Sequence, residues 1–315
     1  MREIGLIGVG YIGKLFVDRL CGAGYSLTVF DVDNEQIKYA LDHGATAVTS
    51  PSKVGEAADV ILIAVPGSSE VEETMESESG LLEVLDNDKL VIDVTTTHPE
   101  TSIKYEKRCA DRGARFIEAP ITGAAPRKGY QMMIGGTNEN YKKAVDILDV
   151  ICDDHIRVGE IGKATIFKLG LQMRYAGQNA LDAEIVEYAR DNGVDPKLFN
   201  DFFGMDIWEQ YFTGDFSQDI EGMGSFSIWN KDIGYVRDVA HRNGTALPIN
   251  SVVHEAYKAT MRQTDEDEGH AASLIKYWQL LNDIYILDNA TWVDQASLVN
   301  ISRSMHEQTI RQWFL

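Results

Sequence analysis

Three glycines near the start of the chain, Gly8, Gly10 and Gly13, have the spacing G-x-G-x-x-G. They follow a short apolar run and precede apolar residues at helical spacing, which places them between a strand and a helix. There the first glycine permits a tight turn, the second lets the backbone approach a pyrophosphate, and the third lets the helix pack on the strand. The beginning of the helix, with Tyr11 and Ile12, would present backbone N–H groups to the phosphates. The glycines therefore predict a dinucleotide-binding loop, and a plain glycine turn is the alternative.

The carboxylate of Asp31 ends the second predicted strand, 18 residues after Gly13. In a dinucleotide-binding fold, a carboxylate at this place accepts hydrogen bonds from the adenosine ribose hydroxyls and repels a 2′-phosphate. No arginine follows it, since the next residues are Val32, Asp33 and Asn34. We therefore expect the cofactor to be NAD rather than NADP.

A lysine at position 168 stands among apolar residues, T-I-F-K-L, in a segment predicted to be helical. Removal of an ammonium group from water favours its neutral form, so the pKa of Lys168 can fall toward the range of a general acid–base group. Hydride transfer needs such a group, because a proton must leave or reach the substrate oxygen. Gln172 shares a helix face with Lys168 and could orient it or bind the substrate. A lysine that extends its amino group to solvent is the alternative.

The elements that must position these residues alternate between strand and helix in the first half of the chain. Strands that are apolar throughout are typical of a sheet covered on both faces. The alternation predicts right-handed βαβ crossovers and a parallel, doubly wound sheet. The predicted strands are Glu3–Val9, Ser26–Phe30, Asp59–Val65, Leu90–Val94 and Arg115–Ile117.

The character of the sequence changes after about residue 160. The segment Lys163–Asn192 contains no proline, ends before Gly193, and is too long for a helix that only covers a sheet. The sequence therefore predicts an α/β Rossmann N-terminal domain, joined by a long interdomain helix to an all-α C-terminal domain. We expect these units to span residues 1–162, 163–193 and 194–315, in agreement with about two domains for a chain of this length.

The charge balance excludes one broad class of partner. With 29 basic and 49 acidic residues the net charge is −20, and a protein that binds nucleic acid needs a basic surface. The acidic runs Glu70–Glu78 and Asp265–Glu268 are expected to be solvated, and no set of side chains has metal-site spacing. Three cysteines without a disulfide framework suit a reducing cytoplasm. No segment predicts a membrane span or a signal peptide.

Six short motifs keep one order along residues 3–282. They are the glycine loop with Asp31, Ala64-Val65-Pro66, Asp93-Val94-Thr95-Thr96-Thr97-His98-Pro99, Glu118-Ala119-Pro120-Ile121-Thr122-Gly123-Ala124, Gly159-Glu160-Ile161-Gly162 leading to Lys168 and Gln172, and Lys231-Asp232. In this order the motifs resemble those of the β-hydroxyacid dehydrogenase family, which includes 3-hydroxyisobutyrate dehydrogenases and tartronate semialdehyde reductases.

The resemblance implies a Rossmann domain, a long helix and a helical C-terminal domain, with Lys168 as the catalytic residue. It also implies homodimers or homotetramers built through the C-terminal helices. The substrate-binding residues it indicates are Thr95, Thr122, Gly123, Ala124 and Gln172. The cofactor-binding residues it indicates are Gly8, Gly10, Tyr11, Ile12, Gly13, Asp31, Val65, Pro66, Thr96 and Lys231.

Four departures from the family pattern touch the predicted substrate pocket rather than the nucleotide end. Ala164 stands where a second glycine is usual, and Gln172 stands where asparagine is usual. The substrate turn has the sequence T-G-A instead of S-G-G, and the segment after it is shorter than usual. That segment carries Arg127 and Lys128, which either bind an anionic group of the substrate or lie exposed in a loop.

The predicted function is hydride transfer between NAD and a β-hydroxy acid, or a related aldehyde or semialdehyde acid, with Lys168 as general acid/base. One alternative is an imine reductase on the same fold, whose members generally replace the lysine. Another is a non-catalytic nucleotide-binding scaffold, whose members lose the lysine and carry basic extensions. Lys168 opposes both alternatives, and the net charge of −20 opposes the second.

Beyond about residue 285 the chain extends past the resemblance. Its apolar side chains lie roughly along one helical stripe, which is expected to pack on the C-terminal domain or on a partner subunit. The stripe consists of Trp292, Ala296, Val299, Met305, Ile310 and Trp313.

Overall fold

A computed structural model describes residues 2–123, 129–214, 225–264 and 271–282 of the chain. The described residues of the first half form one sheet with helices on both faces. Its strands are β1 Ile4–Ile7, β2 Leu27–Phe30, β3 Thr46–Ala47, β4 Val60–Ile63, β5 Leu90–Asp93, β6 Arg115–Glu118, β7 Ile121–Thr122, β8 Gln131–Gly135 and β9 Asp154–Gly159. Its helices are α1 Tyr11–Gly22, α2 Asn34–Asp42, α3 Pro51–Ala57, α4 Ser68–Glu76, α5 Pro99–Ala110 and α6 Asn138–Ile151.

The sheet has the strand order β3-β2-β1-β4-β5-β6-β8-β7, and β9 pairs with β8. From β3 to β6 every neighbouring pair is parallel, with Ile4 opposite both Leu27 and Val60. Strands β1, β4 and β5 are buried along their whole length, because helices cover both faces of the sheet. The predicted doubly wound sheet is confirmed for these strands.

The other edge of the sheet differs from the prediction. Strand β8 runs antiparallel to β6 and β7, so the sheet is mixed rather than parallel throughout. Strands β3, β7, β8 and β9 are absent from the predicted set. Strands β3 and β7 have two residues each, and β9 alternates between exposed and half-buried residues, so none of them has a clear pattern. Strand β8 is buried, but its apolar run covers only residues 132–134.

Two apolar layers hold the helices on the sheet. On one face, α1, α2 and α6 contribute Phe16, Leu20, Ala40 and Ile147 to the core. On the opposite face, α3, α4 and α5 contribute residues that include Met75. The carboxyl ends of the parallel strands are thereby fixed at one edge of the sheet, where ligands bind in open α/β folds.

The second half of the chain is helical where the structure describes it. Helix α7 spans Lys163–Asp191, 29 residues, and its later part packs in a second core with Tyr211, Phe226 and Tyr257. The fold class predicted from the sequence is confirmed, and the proposed domain bounds remain a prediction. The further helices are α8 Leu198–Phe203, α9 Glu209–Thr213, α10 Phe226–Asn243, α11 Pro248–Thr264 and α12 Ile275–Leu281.

The predictions on membrane spans and on the tail have different outcomes. Within the described residues, no helix combines the length and the apolar composition that a membrane crossing requires. The predicted apolar stripe of the tail, from Trp292 to Trp313, lies outside the described residues.

The contact between α1 and β1 depends on two glycines. Gly8 has a left-handed backbone, with φ +91, and a Cβ on it would overlap the carbonyl of Ala64. A Cβ on Gly13 would overlap the carbonyl oxygen of Gly8, so the helix can approach the strand this closely only without a side chain there. Gly22, at the other end of α1, faces open space.

Gly13→Ala is expected to destabilise the protein by about 1–3 kcal/mol, because the new methyl group meets backbone that must move. Gly22→Ala is the matched control in the same helix and is expected to be neutral or to stabilise by up to about 1 kcal/mol. Urea unfolding followed by circular dichroism would measure both. Equal free energies of unfolding for the two variants would contradict the tight packing at Gly13.

Candidate active site

A cavity of about 1030 Å³ lies between the carboxyl edge of the sheet and the helices α7 and α10. One end is formed by the loops after β1 and β2 together with α4. The other end is formed by the loops after β4 and β5, by the turn at β7, and by side chains of α7 and α10. The predicted site residues in its wall are Gly8, Gly10, Tyr11, Ile12, Asp31, Val65, Pro66, Thr95, Thr96, Thr122, Gly123, Lys168, Gln172 and Lys231.

The beginning of α1 is shaped for a phosphate group. Among the described residues, no side chain caps the helix at Gly10, and the first turn carries no acidic residue. A Cβ built on Gly10 would meet no described atom within 4 Å, whereas Gly8 and Gly13 are tightly packed. The backbone N–H groups at the positive end of the helix dipole therefore face space that a pyrophosphate could fill. Gly13 serves the packing of the loop and is not in the cavity wall.

Asp31 lies beside this loop. Its carboxylate accepts hydrogen bonds from the N–H groups of Val9, at 2.6 Å, and Asp33, at 2.8 Å. These contacts fix the carboxylate next to the position expected for the adenosine ribose.

The wall near Asp31 is acidic. Asp33 and Glu73 also line the cavity, together with Gln36 and Ser77. The acidic run at residues 70–78 was expected to be solvated, and four of its five glutamates are exposed. Glu70 and Glu73 also line the cavity. Among the described lining residues, the basic side chains are Lys168 and Lys231, both at the opposite end. The run at residues 265–268 lies outside the described residues.

Lys168 is buried in the wall of the cavity, with 6% of its surface exposed. Burial lowers the pKa of Lys168 to about 8, and the charge of Lys231 acts in the same direction. The carboxylate of Asp232 acts in the opposite direction and favours the ammonium form. The amino group can therefore exchange a proton near neutral pH, as a general acid–base group must.

Asp232 connects the two helices at this end of the cavity. Its Oδ2 accepts a hydrogen bond of 2.8 Å from the side-chain amide of Gln172, and its Oδ1 lies 3.2 Å from Nζ of Lys231. Because a carboxylate only accepts, the side-chain nitrogen of Gln172 must point to Asp232.

Lys231 reaches from α10 to both neighbouring loops of the first domain. Its Nζ donates to the carbonyl oxygens of Pro66, at 2.6 Å, and Thr96, at 2.9 Å. The predicted cofactor contacts Pro66, Thr96 and Lys231 are thus brought together around one ammonium group.

A buried network supports the loop after β5. The hydroxyl of Thr95 accepts from the N–H of Val65 and donates to Asp93, and the N–H of Thr95 donates to the same carboxylate. Burial raises the pKa of Asp93 to about 7, and nearby Glu118 acts in the same direction. The hydroxyl of Thr95 therefore aligns two loops that line the cavity.

Glu118 ends β6, and its carboxylate lies at the beginning of α7. It accepts hydrogen bonds from the N–H groups of Ala164 and Thr165 and from the hydroxyl of Thr165, at 2.9, 3.3 and 2.7 Å. Gly162, the residue before the helix, has φ +88 and no side chain to cap it, so Glu118 takes the place of a capping side chain. Lys168 follows on the next turn, so this contact fixes the helix that carries it.

The predicted substrate turn is described in part. Thr122 belongs to β7, where it pairs with Gln131 of β8, and Gly123 lies against the ring of Tyr130. Ala124, Arg127 and Lys128 lie outside the described residues.

Several residues of the site carried no role in the sequence analysis. Glu118 and Asp232 are the acidic residues of two of the quoted motifs. Their presence there could have indicated a role for each carboxylate. The sequence offered no signal for Tyr130 or Trp229, since their place in the cavity wall depends on how distant elements meet.

The first half of the chain matches a known family. Residues 3–162, slightly more than half of the chain, match the family model of the NAD binding domain of 6-phosphogluconate dehydrogenase. Mitochondrial 3-hydroxyisobutyrate dehydrogenase of Mus musculus is 26% identical over 270 residues, which cover 81% of each chain. The 3-sulfolactaldehyde reductase of Escherichia coli K12 is 28% identical over 269 residues, 82% of this chain and 89% of that protein.

Solved structures share the fold. A 3-hydroxyisobutyrate dehydrogenase of Mycobacterium tuberculosis has a TM-score of 0.75 at 21% identity, over 89% of this chain and 99% of that one. An imine reductase of Myxococcus stipitatus in complex with NADP+ has a TM-score of 0.57 at 15% identity, over 88% of this chain and 99% of that one. The chain belongs to the family of the 6-phosphogluconate dehydrogenase NAD binding domain, and it is an oxidoreductase of the β-hydroxyacid dehydrogenase type.

Proposed function

We propose that this protein is an NAD-dependent dehydrogenase of a small β-hydroxy acid, or the reductase of the corresponding aldehyde acid, with Lys168 as general acid/base. The observation that carries the proposal is a buried amino group with a pKa of about 8 in the wall of a cavity whose other end suits a dinucleotide. Such an amino group can accept the proton of a substrate hydroxyl and return it in the reverse reaction.

The cofactor would lie along the cavity from Asp31 to Lys231. The nicotinamide, when bound, supplies the acceptor or donor of the hydride. Gly10 and the beginning of α1 would hold the pyrophosphate, and Asp31 the adenosine ribose. Val65, Pro66 and Thr96 would border the nicotinamide end, where Lys231 stabilises the two loops that carry them.

The substrate would lie between Lys168 and the turn at Thr122 and Gly123. The turn would supply a hydroxyl and a backbone N–H group to the acid group of the substrate. The carbonyl oxygen of Gln172 would accept from a substrate hydroxyl, since Asp232 occupies its nitrogen. Thr95 would act through the loops that it aligns.

Three further points belong to the proposal. The acidic wall with Asp31, Asp33 and Glu73 supports NAD over NADP, because each carboxylate would repel a 2′-phosphate.

Exposed Tyr188 and Leu181 on α7 support a homodimer or homotetramer built through the C-terminal helices. The cysteines are free in the described residues, which supports a reducing compartment such as the cytoplasm.

Turnover with the right acid is expected to depend on Lys168. Wild-type protein with NAD and 3-hydroxyisobutyrate, glycerate or 2,3-dihydroxypropane-1-sulfonate should produce NADH fluorescence with at least one acid. Lys168→Met should lower kcat by about 10²–10⁴, the usual contribution of a general acid–base group. Lys163→Met, an exposed lysine of the same helix, is the matched control. Normal turnover by Lys168→Met would exclude the proposed role, and NAD binding without turnover would favour a non-catalytic scaffold.

The rate of oxidation is expected to rise with pH to a plateau above about 8, because the base must be neutral. Asp232→Asn removes the carboxylate that favours the ammonium form, so the midpoint of kcat against pH should move to lower pH. A midpoint that moves to higher pH, or does not move, would contradict this electrostatic link.

The pH dependence of the free energy of unfolding tests the lowered pKa of Lys168 without a measurement of catalysis. The pKa of Lys168 falls from 10.5 to about 8 on folding, so between these pH values the unfolded chain binds more protons and stability rises with pH. Below pH 8 the full penalty of the buried charge is present. Lys168→Met should therefore be more stable than wild type at pH 7, by up to roughly 3 kcal/mol. The difference should shrink between pH 8 and 10.5 in urea unfolding experiments.

Asp31→Asn tests the choice of cofactor. The amide keeps one acceptor, for the N–H of Val9, but loses the acceptor for the N–H of Asp33 and the charge. NADH binding should therefore weaken by about tenfold or more, and NADPH binding should strengthen. Fluorescence titration with both nucleotides measures the change, and Asp18→Asn on the exposed side of α1 serves as control. Tighter binding of NADPH than NADH by the wild type would overturn the expected preference.

A further inference from the structure

Tyr130 stands where the chain returns from the substrate turn, and it is held from two sides. Its N–H donates to Oδ2 of Asp153 at 2.6 Å, and Arg19 of α1 binds the same carboxylate at 3.0 and 3.1 Å. The guanidinium of Arg19 also lies 5.7 Å from the centre of the Tyr130 ring. The amide of Tyr130 and then Arg19 keep the pKa of Asp153 below its usual range, so the anchor stays charged.

The ring of Tyr130 covers Gly123. A Cβ on Gly123 would lie 2.7 Å from Cε1 of the ring, so this packing requires glycine at the position. The backbone of the proposed substrate turn therefore rests directly on the tyrosine ring.

The hydroxyl of Tyr130 lies 3.0 Å from the hydroxyl of Tyr11. Tyr11 is the first residue of α1, directly after Gly10, and both tyrosines line the cavity. The two residues are 119 positions apart in the sequence, so the contact joins the glycine loop to the substrate turn only in the folded protein.

We propose that Tyr11 and Tyr130 are positioning residues that act as a pair, coupling occupation of the pyrophosphate site to the arrangement of the substrate turn. A nucleotide seated on the beginning of α1 fixes Tyr11, the hydroxyl contact fixes Tyr130, and the ring fixes the backbone of Gly123. Nucleotide and substrate then bind cooperatively, and the coupling is equal in both directions. The part that concerns the substrate rests on the proposed function, whereas the part that concerns the nucleotide does not.

A double-mutant cycle tests the pair with ADP-ribose, which carries the pyrophosphate without the nicotinamide. Tyr11→Phe and Tyr130→Phe keep both rings, including the one on Gly123, and remove only the hydroxyl groups. Each single variant should bind ADP-ribose about threefold to tenfold more weakly by calorimetry, the effect of one hydrogen bond. The double variant should be no weaker than the worse single variant, because both remove the same contact.

Two controls separate this role from a general effect on structure. Adenosine, which lacks the pyrophosphate, should bind equally to all variants. Tyr141 lies on α6, away from the cavity, and its hydroxyl contacts His155 of β9 at 2.9 Å. Tyr141→Phe removes this hydroxyl and should bind ADP-ribose like the wild type. Additive losses in the double variant, an unchanged affinity in Tyr130→Phe, or no binding of ADP-ribose to the wild type would each overturn the pair.

The substrate side is tested by kinetics with whichever acid the wild type oxidises. Tyr130→Phe should raise the KM of the acid by a larger factor than it lowers kcat, and Tyr11→Phe should do the same. An unchanged KM in both variants would overturn the coupling to the substrate turn. If no acid is oxidised, the proposed function fails, while the ADP-ribose cycle still decides whether the two hydroxyls act together.

Discussion

The contact between Glu118 and the beginning of α7 is the interaction on which the site depends most. A carboxylate at the end of β6 takes the place of the missing capping side chain of a 29-residue helix and receives three hydrogen bonds. Because the sheet and the helix belong to different layers, this contact determines the position of α7 relative to the edge of the sheet. Lys168 and Gln172 follow on the next turns, so their distance from the loops of the cavity is set there.

A second helix, α10, completes the cavity from the opposite side. Lys231 binds carbonyl groups of two loops of the sheet, and Asp232 binds Gln172 of α7, so neighbouring residues connect α10 to both other parts of the site. Farther along α10, Asp238 pairs with His98 in the first domain. The two lysines in the described wall of the cavity, Lys168 and Lys231, therefore lie where α7 and α10 meet the loops of the sheet.

The sequence predicted most accurately what depends on neighbouring residues. The glycine loop, the strands covered on both faces and the long helix could be found because each has a local pattern of glycine or apolar residues. Strands β7 and β9 could not, because β7 has two residues and β9 is largely exposed or half-buried, and the buried β8 has too short an apolar run to stand out.

The sequence by itself determined the fold class, the dinucleotide loop and the family, because these depend on residue types at fixed spacing. It also indicated Lys168, but a lysine among apolar residues can equally extend to solvent. The tertiary structure decided its chemistry, because the pKa of a lysine depends on burial and on charges brought near it by folding. Asp232 lies 64 positions after Lys168 in the sequence and acts on it only because folding brings the two together. The contact between Tyr11 and Tyr130 likewise forms only in the folded protein.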